Sequence, residues 1–415
     1  VRHIAMWYDS LTPLVEKILS DKVFLEKEPF WENLKQKDLN LLRKREYNSV
    51  DFSQLSILQE FKISKPVKIS SNEITKYLHH HSYFLIFING HFEKEYSSYP
   101  SFIQIKEEKS CISKEEENLF LQEKQKHIFS LFHLIFSQEE TVIEIEAQAH
   151  LDKPIEVLHF ILEEKNEISF PKVFFHVKEE AILSVYTKII PLKGSIYYPE
   201  HTFLLEKEAN VNYYSIRNNL DENVETLFAI LKKKAHFSMT NSIMELKKNI
   251  LEGSILLLGA ESFFFRRSLS MLNKTNEDHT FLKIEHLAKQ SQSNIQCKKV
   301  LLEKALSNFK GEIWIKPEAE LSESSLVNHN LLLSDKAHAL SSPEMRIFAD
   351  DVKAFHGATI SELQEKELFY LRARGLAYKE AFYMLVLGFC EDVIDFVPQD
   401  ALKDELIAKV KKILS

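Results

Sequence analysis

Between about residue 141 and residue 345 the chain is a succession of short apolar runs, with no long amphipathic helix among them. The runs include TVIEIEA, IEVLHFIL, KVFFHVK, AILSVYTKII, ANVNYYSI, ETLFAIL, GSILLLG, TFLKIEHLA and GEIWIKP. Many alternate apolar with polar residues, which is the period of a half-buried strand. So long a stretch of strands without a helical layer leaves two architectures. One is a sandwich or barrel of antiparallel strands. The other is a stacked β-helix, in which each coil buries its face against the next. No strict repeat decides between them, and length favours the solenoid. The scarcity of glycine, 8 in 415 residues, helps neither, because tight turns usually draw on it.

The flanks read as helical. Leu11–Ile18, Phe24–Leu25, the segment with Trp31, Leu34, Leu41 and Leu42, and Leu55–Phe61 give helical intervals packed around Trp7 and Trp31. Ser82–Phe92 reads as a hairpin turning at Asn89–Gly90. Residues 115–140 return to helix. Three C-terminal helices are expected: Ser361–Arg374, capped by Ser361 and closed by Gly375, then Tyr378–Val397, ended by Pro398, and Ala401–Ile413. The division is an N-terminal helical domain over 1–80, a β-rich region over 81–348 and a C-terminal helical domain over 349–415.

The formal net charge of −8 disfavours non-specific nucleic-acid binding. Neither GxGxxG nor GxxxxGK[ST] occurs, so nucleotide chemistry is expected to belong to a partner. Cys111, Cys297 and Cys390 lie far apart, which suggests a reducing cytoplasm rather than a disulfide scaffold. The start lacks a signal-like apolar run and no run is long enough to span a bilayer, so no membrane association is expected.

His356, in AFHGAT, falls between an expected strand and an expected helix. Imidazole there can donate, accept, carry a proton or ligate a metal, although most histidines in such places only hydrogen-bond. Asp350 and Asp351 are adjacent and would point to opposite faces of a strand, which suits capping or a salt bridge to Lys353 better than catalysis. His79, His80 and His81 fit a solvated loop. Cys297, beside lysines, is a candidate partly exposed thiol of lowered pKa, and Cys390 a core residue. His279 and His286 lie near Asp278 without a third ligand at usable spacing. The C-terminal helices read as a docking surface, as a cap over the open strand edges of the β core, or as both.

The segments NLLLSD (Asn330–Asp335), ADDVKAFHGAT (Ala349–Thr359) and LFYLRARG (Leu368–Gly375) closely resemble the SufB/SufD scaffold family of iron–sulfur cluster assembly. Pro343, Ile347, Trp314–Pro317, Ser293–Asn294 and Lys298 fit the same pattern, and the HGAT form points to the SufD branch. The resemblance implies a right-handed parallel β-helix with helical domains at both ends. It implies a non-enzymatic subunit that pairs with a SufB-like subunit and docks a SufC-like ABC ATPase through its C-terminal domain. It allows a homodimer in isolation. No tightly bound cofactor is implied. A transient iron–sulfur cluster belongs to the complex, as would any flavin, for which no motif is visible. His356 matches the histidine of the subunit interface, where it would serve as a transient iron ligand beside a partner cysteine. Ala337 and Ala354 stand where other members carry cysteines. The rival reading is a stand-alone β-helix binding protein or a carbohydrate-active one, and for the latter the sequence singles out no carboxylate patch.

Overall fold

From Glu200–Leu205 onward, successive strands do not pair with each other; each pairs in parallel with the strand two places further on. The strands therefore alternate between two 10-stranded sheets, and two strands make one coil of a β-helix. The computed structural model describes residues 24–37, 62–78, 81–106, 112–137, 139–163, 167–193, 196–397 and 400–414. The first sheet runs from Ile103–Lys106 to His338–Ile347, and the second from the hairpin Tyr83–Ile88 and His91–Phe92 to Lys353–Glu362. In the second sheet Asn210 aligns with His236, then Phe263, Gln292, Glu323 and Lys353. Inward side chains fill the lumen with Leu183, Val211, Phe237 and Phe264 from one sheet and Phe203, Ala229 and Ile255 from the other. The β-helix alternative of the sequence reading is the one observed.

The turns explain how a chain so poor in glycine can coil. Gln148, Glu180, Glu208, Lys234, Glu261, Gln290 and Leu321 all have φ near +60°. Each left-handed non-glycine residue costs about 1–2 kcal/mol. Each also donates its N–H to a carbonyl of the next coil: Glu180 to Lys207, Glu208 to Lys233, Lys234 to Ala260, Glu261 to Lys289. The residue that follows is small and buried, as in Ala181, Ala209, Ala235, Ser262, Ser291 and Ser322. That recurring alanine or serine is the repeat.

Seven helices are described here: α1 Phe24–Gln36, α2 Ser71–Thr75, α3 Lys114–Lys124, α4 Ile128–Phe136, α5 Glu365–Ala373, α6 Tyr378–Ile394 and α7 Asp400–Leu414. Ser113 and Glu116 form a capping box at the start of α3. On the first sheet's outer face, Phe120 of α3 meets Phe174, Leu204 and Phe228, while α1 and α4 bring Trp31, Leu34, Phe129 and Phe132 onto Val224 and Ile250. Both ends of α4 are closed by charges of the sign its dipole requires. Glu252 accepts from the N–H groups of Ile128 and Phe129 at 3.2 and 2.9 Å, and Lys27 Nζ donates to the carbonyls of Ile135 and Ser137 at 3.0 and 2.7 Å.

Helices α6 and α7 lie on the outer face of the second sheet. Val386, Cys390, Val393, Leu406 and Val410 pack on Met244, Leu269, Met271, Val300 and Leu331. They do not cap the end of the solenoid, so the capping alternative is corrected. The helix expected over Ser361–Arg374 is also corrected: the last strand continues to Glu362, and α5 starts at Glu365 with Gln364 as its N-cap. The alternation of Ala358, Ile360 and Glu362 keeps the backbone in the ladder. Gly375, at φ +99°, ends α5 as expected, with its N–H on Arg372 O and the N–H of Leu376 on Leu371 O. Trp7, the helical expectations at 11–18, 41–42 and 55–61, His79, His80, Cys111 and Pro398 lie outside the described residues.

Candidate functional site

The late end of the solenoid is bounded by two strands that each have one neighbour. His338–Ile347 pairs only with Leu306–Ile315, and Lys353–Glu362 only with Glu323–Leu332. Among the described residues nothing pairs with their outer edges. Around this mouth, Leu340, Ile347, Phe348, Phe355 and Ile360 are exposed, Phe355 to 61% and Phe348 to 56%. Unpaired edges with apolar flanks are the features that isolated sheets avoid.

His356 stands on the last strand rather than at a strand–helix junction. It aligns with Leu326, which is buried in the lumen, so the imidazole occupies a lumen-facing row that has no further coil above it. The ring is exposed, and its Nδ1 lies 3.0 Å from the carbonyl oxygen of Pro343 on the opposite sheet. Ala354, on the same face two residues earlier, packs with Val352 and Met345 against the top of the lumen core.

Beneath the mouth the lumen is partly polar. Lys299 Nζ meets Asp278 Oδ2 at 2.8 Å, and Asp278 also accepts from Asn249 and Ser270. Burial pushes the Asp278 carboxyl up, but Lys299 and these donors outweigh it and hold the carboxyl below its usual range. Deeper, Glu225 is bound by Arg217 at 2.8 Å and His201 at 2.9 Å. Burial opposes its ionisation, and these two partners bring it down to about 2.

The remaining candidates are dispersed. Asp350 and Asp351 lie in a bend between the last strands, where Asp351 O accepts the N–H of Leu321; Lys353 pairs instead with Glu323 at 2.6 Å. Cys297 is fully buried, which corrects the expectation of partial exposure. It follows Ser293 and Ile295 on the inward face, with Arg266 Nη1 3.0 Å from its Sγ. Cys390 is core, as expected, and burial pushes its thiol up to about 12. His286 is buried between Ser291 and Ser293, and His279 bonds Glu277. His81 is exposed, and Ala337 is buried beside Leu301 and Ala305. Among the described residues no three metal-binding side chains converge.

A second exposed surface lies beside the mouth. Leu333, Asp335, Leu363, Phe369, Arg372 and Phe382 line a groove of about 520 Å³ between the last coil, α5 and α6. Helix α5 buries none of its residues, and Phe369 is 72% exposed. Two cations of the sheet anchor α6: Lys298 donates to Phe389 O and to the Asp392 carboxylate, and Arg267 donates to Asp392 O at 2.7 Å. In the sequence Lys298 stands out only as part of a motif. Its role depends on a helix 91 residues away.

Residues 160–389 match the family model described as SUF system FeS cluster assembly, SufBD core domain. A SufBD family iron–sulfur cluster assembly protein of Synechocystis is 25% identical over 389 residues, 88% of this chain and 85% of that one. The iron–sulfur cluster assembly protein SufD of Escherichia coli is 23% identical over 287 residues, 66% of either chain. The chloroplastic protein ABCI7 of Arabidopsis thaliana is 35% identical over 106 residues, 26% of this chain and 22% of that protein.

Proposed function

The chain belongs to the SufB/SufD family of the SUF iron–sulfur cluster assembly system, and from that premise we propose that it is a SufD-type scaffold subunit of a cytoplasmic assembly complex. Its open solenoid end receives a SufB-like subunit, and the C-terminal helices receive a SufC-like ATPase. The observation that carries this reading is the pair of one-sided terminal strands, His338–Ile347 and Lys353–Glu362, with exposed apolar residues around them. A partner strand on these edges would satisfy backbone groups and cover Phe355 and Ile360 in one step.

His356 is the residue we assign to iron. It has no two companion ligands among the described residues, so it would complete a ligand set only with groups from the facing subunit. Iron and sulfide are then the cargo of the complex, and a flavin, where one takes part, is held elsewhere in it. Ala354 leaves this subunit without a thiolate beside His356. The groove beside α5, with Phe369 and Arg372, suits a helical or aromatic docking element of the ATPase subunit. In isolation, the same open end can pair two copies of the chain.

Co-expression with SufB-like and SufC-like partners, followed by affinity capture, tests the reading. Recovery of all three chains is expected, and capture of neither partner would refute it. His356→Ala should leave assembly intact and lower cluster loading; unchanged loading would remove the iron role.

A further inference from the structure

We propose that the backbone carbonyl of Pro343 fixes the tautomer of His356, so that the imidazole meets the partner with Nε2 as a bare acceptor. This deepens, and rests on, the reading of His356 as the iron-facing residue. The phase of the last strand of the first sheet, His338–Ile347, sets the direction of each backbone group. The N–H of His338 returns to Ala305 O at 3.0 Å, and that of Phe348 to Ile315 O at 2.9 Å. Even-numbered residues of this strand therefore point back into the sheet, and odd-numbered ones, Pro343 among them, point to the open edge. This is the one phase in which a proline leaves the ladder unbroken. The carbonyl of Pro343 shares that direction, and among the described residues no strand follows it.

His356 reaches that carbonyl from the other sheet, across the mouth, at 3.0 Å. A carbonyl oxygen only accepts, so Nδ1 carries the proton. In the neutral ring this places the lone pair on Nε2. A free neutral histidine favours the opposite arrangement, with its proton on Nε2, where it would turn a donor toward an incoming cation. Metal-binding histidines commonly have their tautomer set by a bond of this kind from the second nitrogen. Pro343 is thus a positioning residue. It is an edge residue that needs no donor of its own and offers an acceptor that no neighbouring strand claims.

The test is a two-bond proton–nitrogen correlation spectrum of the full chain labelled with ¹⁵N-histidine at pH 8, free and in the reconstituted complex. The signal lost in His356→Asn assigns the residue among the 17 histidines. The expected pattern is that of a neutral ring protonated on Nδ1. A ring protonated on Nε2, or one averaged between the two forms, overturns the proposal. Cluster loading of His356→Ala in the same complex separates the two ideas. Lost loading with an Nε2-protonated ring sinks the tautomer and keeps the iron role. Unchanged loading with an Nδ1-protonated ring sinks the iron role and keeps the tautomer.

Discussion

The two ends of the solenoid are treated differently by the same chain. At the early end, the second sheet closes on the antiparallel hairpin strand His91–Phe92, and the first on the antiparallel strand Ile103–Lys106. Nearby, α1, α3 and α4 cover the outer face, and buried ions fasten them: Glu200 receives Lys124 at 2.5 Å and Ser130 at 3.0 Å. At the late end, both last strands keep an unpaired edge, and the available helices lie to the side. The early terminal strands also have one neighbour each, but they are only 2 and 4 residues long, whereas the late ones run for 10 residues each. Among the described residues the late edges are the longer unpaired backbone surfaces, and this is the end we assign to a second subunit.

Proline substitutions would break the contrast most sharply. In the last strand the N–H of Lys353 points back to Ser322, so that of Gly357 also points inward and that of Ala358 points out. Gly357→Pro should destabilise the isolated chain by about 1–3 kcal/mol, read by chemical denaturation. Ala358→Pro should change its stability by no more than about 0.5 kcal/mol yet abolish capture of the SufB-like partner. Equal effects of the two variants would mean that the edge is not a pairing surface.

Acid should act on the closed half. His133 of α4 is fully buried, and burial lowers its pKa to about 3. A ring held neutral in the fold contributes stability that is fully present above its unfolded value, about 6.5, and is lost as pH falls toward 3. His133→Leu should therefore flatten the loss of stability between pH 6.5 and 4 while altering stability at pH 8 by about 1 kcal/mol or less. Denaturation at both pH values would measure it, and an unchanged slope would point to other groups.

Two smaller effects sharpen the picture. Lys298→Ala removes one of the two cations that anchor α6 and should cost about 1–3 kcal/mol, with a parallel loss of ATPase-subunit capture. Leu321→Gly relieves a left-handed turn residue at φ +61° next to the open end and should stabilise the chain by about 1 kcal/mol in a melting experiment.

Much of this architecture was legible in the residues. Two-residue alternation marked the strands, Asn89–Gly90 marked the hairpin, and Gly375 marked the end of α5. The coil repeat was not legible, because its left-handed positions carry glutamate, lysine or glutamine rather than glycine. The readable mark was the small residue after each one. Ser361 and Gln364 imitated a helix start, yet the β-branched and small residues before them continued the ladder to Glu362. His356 could be singled out from its motif. Its partner could not, because Pro343 lies 13 residues earlier on the other sheet, and only the closing of the last coil brings them together.

A parallel solenoid is a one-dimensional crystal whose unit cell is a coil, and its open end is a growth face. Growth faces propagate unless something poisons them. Pro343 withdraws one lattice donor from the first sheet's face, and the carbonyl beside it is occupied by His356. Copies of this chain that meet there should stop at a pair and not run on into a fibre.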